Sequence, residues 1–295
     1  MQTCIIFNPS ARGEKATAFR ARLASLFPAA VARPTTMPGE ARPLAAQAVR
    51  DGFQTVIAAG GDGTVNEVVN GIGDAPGGFE SVCFGVLPLG TINVFARELG
   101  FPRELGAIAT VLTTRRLMVV DLGRADYTSP SGPQHRYFIQ LAGAGLDSRA
   151  IELVDWKLKK KIGGAAYLAA GWKAMGETHP VISVQAEKKA AGELVLIGNG
   201  RFYGGNFAVF PAASLQDGML DICVLPQLTW PGLLSVGLGL VTGRLDKVCS
   251  ALHFSASSVS LSSASRVILQ LDGENVGELP ATLSIVPQAL RVIVP

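Results

Sequence analysis

Apolar residues in the first 120 positions fall in short runs that alternate in kind. Thr3 to Phe7 is a continuous apolar strand, and it ends in the polar turn Asn8-Pro9-Ser10-Ala11-Arg12-Gly13. From Lys15 to Leu26 the apolar positions Phe19, Leu23 and Leu26 recur at helical spacing, and Leu44 to Val49 reads as a second helix. Thr55 to Ala59 is the next strand. A helix follows from Asn66 to Asn70, stopped by Gly71 and Gly73. Val82 to Leu87 is a strand ended by Pro88-Leu89-Gly90-Thr91, and Asn93 to Leu99 is a helix closed by Gly100 and Pro102. Such alternation predicts parallel βα units. Ligands in these sheets sit beyond the carboxyl ends of the strands. The turns 8–13, 60–64 and 88–93 all fall there.

The pattern changes from about Val119. Short apolar runs at 118–122, 136–142, 181–186, 193–198, 219–225, 257–261, 266–271 and 282–286 are separated by glycine, serine and proline turns. They predict a mainly antiparallel β domain, a sandwich or a barrel. One helical stretch interrupts them, from about Ile151 to Met175.

Composition narrows the function classes. A chain of 295 residues with 48% apolar content can build two ordinary domains. A net charge of +3 argues against nucleic acid as the main partner. The four cysteines, Cys4, Cys83, Cys223 and Cys249, form no CxxC pair and read as buried, reduced thiols. The start of the chain lacks the basic and apolar regions of a signal peptide. The greasiest stretch, Leu228 to Val241, is shorter than the roughly 20 residues that span a bilayer. The expected location is the cytoplasm, with peripheral contact to a membrane surface.

Candidate chemistry concentrates in Ala58-Ala59-Gly60-Gly61-Asp62-Gly63-Thr64-Val65-Asn66-Glu67, which reads strand, glycine turn, helix. The glycines let backbone approach a ligand, and the helix start offers free N–H groups suited to phosphate. Asp62 would repel a phosphate unless it handles a metal or a proton, which points to phosphoryl transfer. The motif is neither a P-loop nor the dinucleotide fingerprint. A turn whose glycines serve geometry alone is the competing reading.

These residues resemble the diacylglycerol kinase catalytic-domain family of lipid kinases, in particular its small bacterial members, with sphingosine kinases more distant. The likeness runs over nearly the whole chain. It includes Asn8-Pro9 with Gly13, the 60–64 turn with Asn66-Glu67, and Pro88-Leu89-Gly90-Thr91 with Asn93, Ala96 and Arg97. Downstream it includes residues 142–147, Gly198-Asn199-Gly200, Gly204-Gly205, residues 214–218, and Leu271-Asp272-Gly273-Glu274. Val94 departs from the pattern, because many members carry Asp there. The resemblance implies an α/β nucleotide domain over 1–121, rejoined by about 288–295. It also implies a β-rich, sandwich-like lipid domain over 122–287, with the active site in the cleft between them.

The implied reaction is Mg²⁺-dependent transfer of the γ-phosphoryl of ATP to the hydroxyl of a lipid such as diacylglycerol, in lipid metabolism. By resemblance the nucleotide site comprises Asn8, Thr35 (or its neighbour Thr36), Gly60, Gly61, Asp62, Gly63, Thr64, Val65, Asn66, Glu67, Gly90, Thr91 and Asn93. An alcohol needs a general base, and Asp62, Asp272 and Glu274 are the candidates. The alternative for Asp272 and Glu274 is a plain hairpin turn. Asp217, with the carbonyls of Ser214 and Met219, matches a structural Mg²⁺ site of the bacterial relatives, or else a simple Asp-Gly turn. Lys157, Lys159, Lys160 and Lys161 beside Trp156 would suit anionic lipid, or form a solvated helix face. The expected partners are a lipid alcohol and a membrane surface, and no nucleic acid; the sequence leaves the oligomeric state open, with a homodimer one option. The rival readings are an NAD kinase-like enzyme and a nucleotide- or lipid-binding protein without catalysis.

Overall fold

The computed structural model describes residues 2–9, 16–152, 179–205, 207–227 and 251–295, together with residues 229, 231, 232, 235 and 239. The turn residues 10–13, most of the helix expected over 151–175 with its lysines, Cys249, and most of Leu228 to Val241 lie outside the described residues. The chain divides into two compact units, Met1–Leu122 with Pro287–Pro295, and Gly123–Val286.

The first unit runs β1 (Thr3–Phe7), α1 (Ala16–Leu26), β2 (Ala30–Pro34), α2 (Ala41–Arg50), β3 (Thr55–Gly60), α3 (Asp62–Asp74), α4 (Gly78–Ser81), β4 (Cys83–Pro88), α5 (Val94–Glu98) and α6 (Leu105–Thr114), and then enters β5 (Arg116–Ser129). β1 pairs in parallel with both β2 and β3, and β3 pairs in parallel with β4. The strand order is therefore β2-β1-β3-β4. Crossovers leave β1 on opposite sides, so the gap between β1 and β3 is a topological switch point. One face of the sheet buries Ile5, Phe7, Ile57 and Leu87 against Leu23, Phe27, Ile108 and Leu112. The alternate residues Cys4, Ile6, Val56, Ala58 and Val86 are equally buried, as expected of a parallel sheet covered on both faces. Burial in this core pushes the Cys4 thiol up to about 11, opposed by the nearby Arg33 charge.

Two expectations need correction here. The helix after β3 begins at Asp62, not Asn66, and continues through Gly71 and Gly73 to Asp74. Gly71 does not stop the helix; it lets α3 press against α2. A Cβ there would stand 2.1 Å from the Arg42 carbonyl oxygen and 2.8 Å from the Ala45 Cβ.

The second unit contains β6 (Gly132–Phe138), β7 (Leu141–Gly145), α7 (Leu146–Glu152), β8 (Ile182–Gln185), β9 (Lys189–Gly192), β10 (Leu194–Gly198), β11 (Phe202–Tyr203), β12 (Phe207–Ala208), β13 (Leu220–Leu225), β14 (Leu252–Ala256), β15 (Ser258–Ser263), β16 (Ile268–Leu271) and β17 (Glu274–Val294). One antiparallel layer runs β14-β13-β10-β7-β16-β17, and a second runs β6-β5-β17-β15-β8-β9. The long β17 serves both layers. Their inner faces share one core, with Ala144, Val195, Ile222 and Leu269 from the first layer and Val184, Val259 and Leu283 from the second. This is the expected sandwich. Beyond it, β17 passes into the first unit, where Arg291 and Val292 pair in parallel with β4. The single apolar run expected over 136–142 is two strands. β6 ends at Phe138, and β7 starts at Leu141 after a bend at Ile139 and Gln140. Among the described residues no helix is long and apolar enough to cross a membrane.

Candidate functional site

In the first unit, four strand ends deliver most of the expected nucleotide residues to one edge. The Asn8 N–H, just past β1, donates to the Ala59 carbonyl at 3.0 Å, and the Thr35 N–H, just past β2, donates to the Phe7 carbonyl at 2.9 Å. Thr35 is buried. Its neighbour Thr36 is exposed, and both its N–H and its hydroxyl donate to the Glu40 carboxylate. The turns after β3 and β4 touch directly. The Leu89 N–H donates to the Gly60 carbonyl at 2.9 Å. A Cβ on Gly90 would lie 2.6 Å from the Gly61 Cα, so glycine at 90 is what allows the two turns to close up. Asn93, at positive φ of 53°, ties its own turn, because its Oδ1 accepts from the Gly90 N–H at 3.0 Å and its Nδ2 donates to the Gly90 carbonyl at 2.6 Å. Thr91 is exposed at the tip of that turn.

The start of α3 is a glycine-capped helix N-terminus. Its N-cap is Gly61 in extended conformation, a cap residue with no side chain of its own to accept from the first turn. The first-turn N–H groups of a helix have no intrahelical partner, and they carry the positive end of the helix dipole. The first intrahelical bond is Val65 N–H to the Gly61 carbonyl at 3.1 Å.

The side chains of this motif divide in a way that sequence reasoning missed. Thr64 is buried and packs onto Gly60, where a Cβ would be 2.4 Å from the Thr64 Oγ1. Asn66 is 1% exposed, and its side-chain and main-chain oxygens accept from Asn70 Nδ2 at 3.2 and 2.9 Å. Glu67 points at the start of α2 and accepts from the Gly39 and Ala41 N–H groups, each at 2.9 Å. It caps α2 from a neighbouring helix. Asp62 remains as the acidic residue of the first turn of α3.

In the second unit, Asp272 and Gly273 form the two-residue loop between β16 and β17, with φ of 48° and 86° as in a type I′ hairpin. The loop is more than a plain turn. Asp272 Oδ1 accepts from the Gln140 and Leu141 N–H groups at 2.9 and 3.1 Å, and Oδ2 accepts from the Ile139 N–H at 2.8 Å. Its own N–H donates to the Leu141 carbonyl at 2.7 Å. The carboxylate thus holds the whole bend between β6 and β7. Glu274, next along, pairs with Arg136 of β6 at 2.6 Å. No pattern in the sequence marked Arg136, since it is one of several polar residues alternating along an edge hairpin.

Gln140 was also missed, although it interrupts an apolar run. It is 6% exposed, and both of its amide atoms are sheltered without a hydrogen-bond partner among the described residues. Gly200 packs against it, where a Cβ would meet Gln140 Oε1 at 2.2 Å. A buried amide without partners carries a desolvation cost of about 1–3 kcal/mol. Gln140→Leu is therefore expected to match or exceed the wild type in thermal stability. A clear loss would show that a buried water completes the site.

Asp217 is exposed and accepts from the Met219 N–H at 3.0 Å, closing an Asp-Gly turn beside Ser214. Burial pushes the nearby Asp221 carboxyl up, against a hydrogen bond from the Ser255 hydroxyl, and the Asp217 charge adds to the rise. Among the described residues no three His, Cys, Asp or Glu side chains converge as a metal site.

Residues 2–125 match the family described as Diacylglycerol kinase catalytic domain, and residues 140–294 match the YegS C-terminal NAD kinase beta sandwich-like domain. The chain is 31% identical over 301 residues to the protein named Diacylglycerol kinase of Bacillus subtilis (strain 168), covering 99% of this chain and 95% of that one. It is 32% identical over 271 residues to the protein of Xanthomonas euvesicatoria named "Probable lipid kinase YegS-like", covering 89% and 86%. A crystal structure of a diacylglycerol kinase from Bacillus anthracis superposes with a TM-score of 0.75 at 22% identity, over 100% of this chain and 97% of that one, which shows the shared fold. With both domain types matched in order and full-length relatives above 30% identity, the chain belongs to the lipid kinase family that joins a diacylglycerol kinase catalytic domain to a YegS-type β-sandwich domain.

Proposed function

We propose that the protein transfers the γ-phosphoryl of ATP to the hydroxyl of a lipid alcohol, with diacylglycerol the first acceptor to test. The observation that carries this reading is the glycine-capped start of α3 with Asp62 in its first turn. An anion site with a carboxylate inside it makes physical sense if Asp62 would hold a divalent cation there. The residues fit that role, since Mg²⁺ is commonly held by one or two carboxylates together with substrate phosphates. When bound, Mg²⁺ supplies neutralisation of phosphate charge.

The chain's own residues do the rest. Backbone N–H groups at the start of α3 hold phosphate oxygens, and the packed glycines at 61 and 90 let the nucleotide approach the backbone. Thr64, Asn66 and Glu67 act indirectly, by fixing α3 and the start of α2. In the second unit Glu274 is the preferred proton acceptor for the lipid hydroxyl. Arg136 orients it through their ion pair, and Asp272 fixes the hairpin that carries it. Asp217, with carbonyls from Ser214 and Met219, remains a candidate for a second, structural cation. Peripheral membrane contact follows from the nature of the acceptor.

The test is transfer from γ-labelled ATP with Mg²⁺ to diacylglycerol, a sphingoid base and phosphatidylglycerol in mixed micelles, with NAD in a separate arm. Label in one lipid is the expected result and names the acceptor. Label in NAD alone would replace the proposal with an NAD kinase, and ATP binding without transfer to any acceptor would leave a binding protein.

A further inference from the structure

The second unit holds a recess of about 230 Å³ between α7, the residues leading into β8, and the start of β16. Ser148 braces it, its Oγ lying 2.7 Å from the Ile268 carbonyl and 3.0 Å from the Gly145 carbonyl. Arg149, Glu152, His179 and Arg266 supply the polar walls. Among the described residues the two acidic groups at hand are already engaged, Glu152 with Arg149 at 2.9 Å and Glu278 with Arg266 at 2.7 Å. The unused capacity is on the donor side. Arg266 bonds Glu278 through Nε, and its two terminal nitrogens have no partner among the described residues. His179 Nε2 is sheltered from solvent and also without a partner among the described residues.

We propose that this recess binds a phosphate group. A guanidinium with both terminal nitrogens available matches paired phosphate oxygens, and an imidazole N–H adds a third donor from another wall. Among the described residues the carboxylates that a metal ion would need there are already paired. An apolar ligand would leave the sheltered imidazole nitrogen unsatisfied. Glu152 and His179 directly flank residues 153–178 in sequence, the segment that carries Trp156, Lys157, Lys159, Lys160 and Lys161. The headgroup of an anionic phospholipid is one source of such a phosphate. A free phosphate compound shares the same recognition chemistry. Neither source depends on the kinase reaction, and the test needs no turnover.

The experiment measures co-sedimentation of the full chain with phosphatidylcholine vesicles, with and without phosphatidylglycerol. A second arm follows the His179 imidazole resonance while inorganic phosphate is titrated in the absence of vesicles. Arg266→Gln, His179→Leu and the control Lys188→Gln are compared. The control removes the same charge as Arg266→Gln at the exposed turn between β8 and β9. If the lipid headgroup is the ligand, Arg266→Gln and His179→Leu each weaken binding to the anionic vesicles by about tenfold, while the control does not. If a free phosphate is the ligand, vesicle binding is unchanged and inorganic phosphate saturably shifts His179 in the wild type but not in Arg266→Gln. Equal losses for Arg266→Gln and Lys188→Gln with none for His179→Leu would overturn the site, as would no response in either arm. Arg266→Lys keeps the charge available to Glu278 but loses the fork. Its intermediate binding is expected even if Arg266→Gln folds poorly.

Discussion

Asp62→Asn is expected to lower phosphoryl transfer by about a thousandfold, within the range for removing a charged catalytic group, while the fold survives. The side chain sits in the first turn of α3, where a negative charge gains only about 0.3–1 kcal/mol from the helix dipole. Thermal unfolding of the variant beside the wild type checks that the fold survives. Nucleotide affinity gives the sharper reading. Without Mg²⁺ the substitution removes a repulsive charge from an anion site, so ATP should bind as well or better. With Mg²⁺ the variant should lose the gain that the wild type shows. Calorimetric titration of ATP with and without Mg²⁺, beside a kcat measurement, checks both. A variant that transfers phosphate at the wild-type rate would leave Asp62 as an ordinary helix-start acid, and the phosphate-site assignment would rest on backbone geometry alone.

The parts of the fold legible in the sequence are those whose constraint is local. β1, β3 and β4 are buried on both faces, so their continuous apolar runs stand out, and each ends in a glycine or polar turn. β2 escaped notice because it is an edge strand of mixed burial ending in Arg33 and Pro34. α6 escaped because Gly106 and the β-branched residues within it are weak helix formers; Glu104 secures it by accepting from the Gly106 and Ala107 N–H groups. Gly71 misled for a reason no single sequence discloses, since the space it vacates is filled by the backbone of α2. The same holds within the candidate site. That the motif is a glycine turn leading into a helix is readable from its glycines. That Thr64, Asn66 and Glu67 turn inward to packing, to Asn70 and to the start of α2 depends on partners up to 28 positions away.

Asp272 is the clearest case of long-range partnership, and its replacement should have the largest effect on stability. Its carboxylate accepts three N–H bonds from residues 131 to 133 positions distant. Hydrogen bonds to a charged group contribute about 1.5–3 kcal/mol each, and they are not additive. Asp272→Ala would leave those three donors without their acceptor, and it would also place a β-carbon at positive φ with no polar side chain to stabilise it. A loss of about 4 kcal/mol in denaturant unfolding is expected. Asp272→Asn tolerates the backbone and keeps one oxygen for Gln140 and Leu141, but it turns an amide toward the Ile139 N–H, so about half that loss should appear. Glu274→Gln is the necessary comparison. The Glu274 side chain is 43% exposed, and its ion pair with Arg136 is worth less than about 1 kcal/mol in such a setting. Unfolding should barely move while kcat falls by about a hundredfold. The two neighbours thus separate along different axes, Asp272 in stability and Glu274 in turnover. If Asp272→Asn instead lost all transfer with its stability intact, Asp272 would take over as the proton acceptor and Glu274 would become the residue that holds Arg136 in place.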